Sequence, residues 1–391
     1  MDQERVQRFR ARFLWVEPAR CYAPGELRVL GGRVVGAGPA RGGRIPARAI
    51  LPGLVDAHVH LQIPSLARAR RQFLPWVQDV MRIRSESAVA DHARLAVAAI
   101  RSLLADGVTA VGEVDSTGLS PQVLREFPVG GVCYQELTGF HLGGAASSDL
   151  VRRRETPGSR HCRSGLSPHA PYSVSRALFR AARARRVPLA VHVAETLEEV
   201  QFLRRGSGPF RELLERLGRL PDGYRPPGIG PVALLDRFGL LSESTALIHC
   251  QHMTREEASL VSRRRAPVVV CPGTIDYFRR TPPPVPAWLK AGIRVGLGTD
   301  SLASNTRMSL RHEMTLARRM WPSLSPETLL SMATVHGGAA LRSRGLGTLR
   351  RGAPASFVTL PFDRDVQTCI EAFTTGELAP DGVFLRGTRI P

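Results

Sequence analysis

The chain has 391 residues, 43% of them apolar, and a formal net charge of +20. That length suits one large barrel with a small accessory unit or two ordinary domains, and no apolar run approaches the length needed to cross a bilayer. The charge does not read as a nucleic-acid footprint: Lys290 is the only lysine among 54 basic residues, and the arginines are spread along the chain without a basic tail or an aromatic-interleaved stripe.

The start, Met1-Asp2-Gln3-Glu4-Arg5, is charged and lacks a secretory apolar segment, so the expected location is the cytoplasm. From there to about residue 50, Arg12 to Val16, Glu26 to Leu30 and Arg33 to Gly36 read as short strands between Gly/Pro turns. At Leu51 the texture changes. Eight short apolar runs follow: Gly53 to Leu61, Val108 to Val114, Gly130 to Glu136, Ser164 to His169, Pro188 to Ala194, Ala246 to Cys250, Pro267 to Cys271 and Ile293 to Gly298. Helical spacing lies between them, as in Ala88 to Leu104 and in Thr196 to Leu217 apart from its Gly-Ser-Gly-Pro break. Alternation of this kind predicts an α/β fold, a TIM-like (β/α)8 barrel. After residue 345 the segment Gly352 to Leu360 returns to strand character. The expected division is residues 1–50 and 346–391 as one accessory β unit built from both chain ends, with residues 51–345 as the barrel. The six cysteines form no Cys-x-x-Cys pair, and reduced thiols are expected.

The chemistry sits where the barrel strands end. The first run closes on Asp56-Ala57-His58-Val59-His60-Leu61-Gln62, and strand alternation puts His58 and His60 on one face, a ready metal chelate. The fifth run reads Val191-His192-Val193-Ala194-Glu195, the sixth Ile248-His249-Cys250-Gln251-His252, and the eighth Gly296-Leu297-Gly298-Thr299-Asp300. The fourth ends Ser167-Pro168-His169. A single His-x-His is more often a buried structural pair. Five such coincidences at the ends where barrel active sites lie are not. His249 and His252 differ in strand parity, and His249, inside the apolar run, is the preferred inward residue.

The stretches Pro52-Gly53-Leu54-Val55-Asp56-Ala57-His58-Val59-His60-Leu61, Ser167-Pro168-His169-Ala170-Pro171-Tyr172-Ser173, His192-Val193-Ala194-Glu195-Thr196, His249-Cys250-Gln251-His252 and Gly298-Thr299-Asp300-Ser301-Leu302-Ala303-Ser304-Asn305 together resemble the amidohydrolase superfamily. The branch is that of cytosine deaminases, chlorohydrolases and adenosine-derivative deaminases, the aminodeoxyfutalosine type included. The resemblance implies metal ligands His58, His60, His192 and Asp300, Glu195 as proton shuttle, and His249 and Asp300 as catalytic partners. It implies one divalent ion, Zn²⁺ or else Fe²⁺. Binuclear relatives use a carboxylated lysine at the end of the fourth strand, where this chain has His169. Substrate contacts are expected from His169, Gln62, Trp76 and Glu113. The expected activity is hydrolytic deamination of an aminated N-heterocycle, an adenine nucleoside derivative such as aminodeoxyfutalosine. The rivals are dechlorination or cyclic amide hydrolysis on the same scaffold, and a barrel that only binds. A small-molecule substrate is the expected partner, with neither membrane nor nucleic acid; a homo-oligomer is left open. The pattern departs from the resemblance at Cys271-Pro272-Gly273-Thr274-Ile275-Asp276, where relatives carry Ser-Asn or similar after Cys-Pro, and at His336-Gly337-Gly338 in place of Asn-Gly-Ala.

Overall fold

A computed structural model describes residues 5–362 and 364–391. Eight strands lie in sequence order in one parallel sheet. They are β1 (Leu54–Val59), β2 (Val108–Asp115), β3 (Gly130–Leu137), β4 (Cys162–Pro168), β5 (Leu189–Val193), β6 (Thr245–His249), β7 (Val268–Val270) and β8 (Val295–Leu297). Each overlaps one of the eight apolar runs. The order puts β1 and β8 at opposite edges, and the seam between them is closed past the strand ends. Val59 bridges Asp300 in parallel sense, the Asp300 amide donates to His58 O at 3.1 Å, and the His60 amide donates to Asp300 O at 3.0 Å.

Every strand residue of β1, β2 and β3 is buried, as strands covered by helices on one face and barrel interior on the other require. Close strand packing leaves no room for a side chain at Gly131 in β3. It has φ +130°, and a Cβ there would stand 1.9 Å from Val111 O.

The helical spacings resolve as expected, with local reasons. Val89–Ala105 is one helix. The stretch from Thr196 forms two, Leu197–Arg205 and Pro209–Arg216. Thr196 caps the first by accepting from Glu199 N, and Gly206, left-handed at φ 68°, ends it.

Both chain ends contribute to the sheets outside the barrel. A six-stranded sheet runs in the order 388–389, 382–385, 357–360, 49–52, 13–17, 20–22, and a three-stranded sheet joins 7–11, 25–30 and 33–39. Strand Ala49–Pro52 belongs to the larger accessory sheet and so straddles the expected boundary at residue 50. The C-terminal segment also holds an unforeseen helix, Val366–Thr374. Asp365 caps it, and Cys369, Ile370 and Phe373 pack into the main core. No helix among the described residues is long and apolar enough to cross a membrane. The six cysteines are free, five of them buried.

Replacing Gly131 by alanine forces either the left-handed strain or the clash with Val111 onto two core strands. The expected loss is about 2–4 kcal/mol of stability, read as a lower urea midpoint at unchanged slope. A midpoint equal to wild type would contradict this packing.

Candidate metal centre and active site

The strand ends bring His58, His60, His192, His249 and Asp300 together, all buried. Ligand atoms of His58, His60 and Asp300, and those of His58, His192 and His249, lie within 4.8 Å of one another. Three backbones reach this point in the left-handed region without being glycine: Ala194 at φ 52°, His249 at φ 70° and Asp300 at φ 58°. Such conformations cost energy and persist where packing over-determines them, as they do beside functional groups. Gly298 allows the closest approach, since a Cβ there would meet His58 O at 2.7 Å and His58 Cβ at 2.9 Å.

The ring orientations are set by bonds to the outside of the cluster. His60 Nδ1 donates to Val114 O at 3.1 Å, and His192 Nδ1 donates to His169 O at 3.1 Å. Each ring then presents an unprotonated Nε2, and the two Nε2 atoms face each other at 3.4 Å. Burial holds both rings neutral, His60 pushed down to about 4 and His192 well below the usual range. Neither nitrogen of buried His58 has a hydrogen-bond partner. Lone pairs converging in a dry site, with nothing between them to donate, are the arrangement that a cation satisfies. Asp300 completes the set. Its Oδ1 lies 3.7 Å from His58 Nε2 and 3.9 Å from His60 Nε2. Its Oδ2 accepts from Thr274 Oγ1 at 2.8 Å and Ser304 Oγ at 2.9 Å. Burial opposes its ionisation, but the surrounding imidazoles of His58, His249 and His60 hold it well below the ordinary carboxylate range. Three neutral imidazoles and one carboxylate suit one divalent ion, zinc, and His58, His60, His192 and Asp300 are the residues that could hold it.

Glu195 and His249 flank this centre. Glu195 Oε2 stands 3.8 Å from His249 Nε2, and Oε1 accepts from the Arg280 guanidinium at 3.3 Å. Burial raises the Glu195 carboxyl, with Arg280 pulling the other way. Burial pushes His249 down to about 3. His249 is thus near enough to serve as a further ligand as well as a donor beside the reacting centre.

The centre forms the floor of a cavity of about 640 Å³. Phe73 and Trp76, from helix Phe73–Glu86, and Phe210, Leu213 and Leu214, from helix Pro209–Arg216, give it an apolar wall. His169 lines it, its Nδ1 bonded to Ser173 Oγ at 2.7 Å. Trp76 lines it too, tied down by Nε1 donating to Ala303 O at 2.8 Å.

The other two residues expected to meet substrate do not line it. Gln62 lies past the end of β1, where the turn at Leu61–Gln62 breaks strand alternation with His60. Its amide donates to Glu113 Oε1 and Ser120 Oγ behind the site, and both Gln62 and Glu113 are fully buried. Glu113 also accepts from Leu61 N at 3.0 Å and Ser120 Oγ at 2.8 Å. These two residues hold the chain just after the His-x-His pair.

Three functional positions escaped sequence reasoning. Glu136, at the end of β3, is 9% exposed and faces the cavity, with one long contact from Arg84 at 3.5 Å. Burial would raise it, but His169 and Arg84 hold it below the usual value, and so charged. Thr274 orients Asp300, and Arg280 touches Glu195. Both fall in or just after the stretch that departs from the family pattern, which was the available signal.

The Amidohydrolase family profile matches residues 49–390, so the chain belongs to the amidohydrolase family. Aminodeoxyfutalosine deaminase of Deinococcus radiodurans is 32% identical over 375 residues, covering 84% of this chain and 84% of that protein. The 5-methylthioadenosine/S-adenosylhomocysteine deaminase of Nitratidesulfovibrio vulgaris (strain DP4) is 29% identical over 347 residues, covering 80% and 71%. Among solved structures, Helicobacter pylori aminofutalosine deaminase in complex with methylthio-coformycin superposes with a TM-score of 0.82 at 19% identity, over 98% of this chain and all of that one. The atrazine chlorohydrolase TrzN from Arthrobacter aurescens TC1, complexed with zinc, gives 0.80 at 19% identity over 98% and 94%. At these identities the two structures bear on the fold.

Thr274→Val removes one of the two hydroxyls on Asp300 Oδ2. It is expected to weaken zinc binding by about 10- to 100-fold in competition with a chelator while leaving the fold intact. Unchanged affinity would show that Thr274 does not orient the ligand.

Proposed function

We propose that the protein deaminates the aminated ring of an adenine nucleoside derivative, such as aminodeoxyfutalosine, by hydrolysis. The observation that carries this reading is the placement of the ligand cluster with Glu195 and His249 on the floor of a nucleoside-sized cavity. The deaminases among its relatives support it. A divalent ion held by His58, His60, His192 and Asp300 would supply Lewis acidity and make hydroxide available near neutral pH. Asp300 orients the attacking water and accepts its proton. Glu195, whose carboxyl is raised by burial, passes a proton to the ring nitrogen beside the attacked carbon, so that no ring anion forms. His249 hydrogen-bonds the oxygen as charge develops on it. Collapse of the tetrahedral carbon breaks the C–N bond. The amino group takes the one proton that Asp300 received from water and leaves as ammonia; the ring nitrogen keeps its proton, water's oxygen stays as the product carbonyl, and the hydroxyl proton shed as that carbonyl forms restores Glu195.

The cavity wall agrees with a nucleoside that carries an apolar extension, because Phe73, Trp76, Phe210, Leu213 and Leu214 offer it a dry surface. Glu136 is a charged acceptor with only Arg84 for a donor, and ribosyl hydroxyls would satisfy it. His169, packed on Tyr172 where that ring stacks on Phe210, has one ring nitrogen left to meet the heterocycle. A cytoplasmic location is part of this reading, and free thiols at Cys250 and Cys271 support it.

The test is ammonia release by zinc-loaded protein from adenine nucleosides, aminopurines, aminopyrimidines and aminotriazines. Release from the nucleosides is expected, with Glu195→Gln lowering kcat by about 10²- to 10⁴-fold. No ammonia from any member, with zinc bound, would overturn deamination and turn attention to chloride release. In the same assay Glu136→Gln is expected to raise KM for a ribonucleoside by about tenfold or more and to leave the free base unaffected. An equal effect on both would remove Glu136 from sugar recognition.

A further inference from the structure

Arg280 is not among the residues that line the cavity, yet it makes the ion pair with Glu195. Its place is built by the chain before it. Helix Pro272–Tyr277 ends in a Schellman turn: Arg279 N donates to Asp276 O at 3.0 Å and Arg280 N to Ile275 O at 2.9 Å. The turn requires a left-handed residue, and here that residue is Arg279 at φ 54° rather than a glycine. The next residue is tied to the end of β6, where Gln251 Nε2 donates to Thr281 O at 2.5 Å. The guanidinium emerging from this turn is 13% exposed. It lies over the Phe278 ring at 4.4 Å and the Phe73 ring at 5.5 Å. A planar cation between two aromatic faces and a carboxylate has little freedom to rotate.

We propose that Arg280 is a positioning residue for the proton shuttle: it holds Glu195 Oε1 so that Oε2 is the oxygen presented to His249 and the reacting ring. The inference rests on Glu195 acting as the shuttle in the deamination described above. Two features argue for more than a structural ion pair. The contact uses the one oxygen turned away from His249, leaving the other for chemistry. Phe73, at the start of the helix that walls the cavity, forms part of the seat for the cation. It packs on Trp76 at 5.4 Å and on Phe278 at 5.8 Å. Seating of that wall and orientation of the shuttle are therefore set by the same aromatic group.

The test compares wild type with Arg280→Met, which fills the aromatic seat without charge, and Arg280→Lys, which keeps the charge without the planar fork. With adenosine as substrate, Arg280→Met is expected to lower kcat by about tenfold to a hundredfold. KM should stay within about twofold and zinc content and melting temperature should be unchanged, because Arg280 touches neither cavity nor ligand. Arg280→Lys recovers part of the loss. The pair is then placed in a cycle with Glu195→Gln, using 6-chloropurine riboside, whose more electrophilic ring carbon and better leaving group keep a residual rate measurable. Arg280→Met should add less than about twofold once the Glu195 carboxylate is gone, because residues acting through one another are not additive. The same loss in both Glu195 backgrounds, a rise in KM, or depleted zinc would overturn the assignment in favour of a structural role. An unchanged kcat would overturn it outright. If wild type releases no ammonia from any nucleoside, the deaminase reading fails first and this inference falls with it.

Discussion

The barrel is closed by the same few residues that gather its metal ligands. β1 and the segment just after β8 meet through the backbone of His58, at the end of β1, His60 and Asp300. Two inward-facing imidazoles and a carboxylate are thereby locked to one another at the strand ends with no loop between them. The closure accounts for other features nearby. Gly298 is bare because His58 lies against it. Asp56, fully buried, accepts from Thr299 N at 3.1 Å and Thr299 Oγ1 at 2.6 Å, pinning the two sides of the seam from below. The left-handed backbone of Asp300 lets the strand turn its side chain inward while its amide still reaches His58. Ligand geometry and barrel closure are one structural problem here, so site strain is offset by the whole sheet.

The electrostatics of the cluster follow from that enforced proximity. Neutral imidazoles with outward Nδ1–H bonds must point their lone pairs at one another, and the His60–His192 contact at 3.4 Å has no proton to share. These side chains are almost completely buried and show only their inner faces to the cavity. A divalent cation relieves the contact, and its binding energy adds to the stability of a seam that otherwise concentrates unsatisfied acceptors. The supporting carboxylates answer a different demand. Burial lifts Glu313 to about 8, yet Gly273 N at 2.7 Å and Asn305 Nδ2 at 2.7 Å satisfy it, so it anchors the segments that carry Thr274 and Ser304. These hydroxyls in turn leave Asp300 one free oxygen.

Legibility in the sequence divides along physical lines. The eight barrel strands could be read because doubly covered strands are short continuous apolar runs, and each run appears as a strand. The His58–His60 pair could be read because strand parity is local, and its rings do come together at 5.0 Å. The same parity failed two residues later. β1 ends at Val59, and the turn that follows sends Gln62 behind the barrel to Glu113. Periodicity says which face a residue takes only while the strand lasts. The accessory unit was legible as strands from both ends, while helix Val366–Thr374 was missed despite its Asp365 cap because the neighbouring strands dominated the reading. Glu136 was hidden for another reason: its neighbours along the strand are buried whichever way they face, so burial pattern carries no phase.

Arg280 shows what no local pattern holds. The run Phe278-Arg279-Arg280 looks like surface charge in an arginine-rich chain. Its meaning depends on a turn that reverses the chain at Arg279, on Gln251 from β6 holding the next residue, and on Phe73 arriving from a helix more than two hundred positions earlier. Gln251 and Phe73 are remote in sequence, the turn is local, and each alone is ordinary. Together they place a buried cation on the one oxygen of Glu195 that faces away from His249. The turn comes just after the stretch Cys271 to Asp276 where this chain leaves the family pattern, and that stretch supplies Thr274 to Asp300. One short segment and the turn after it therefore touch two buried carboxylates at the cavity floor, Asp300 through Thr274 and Glu195 through Arg280.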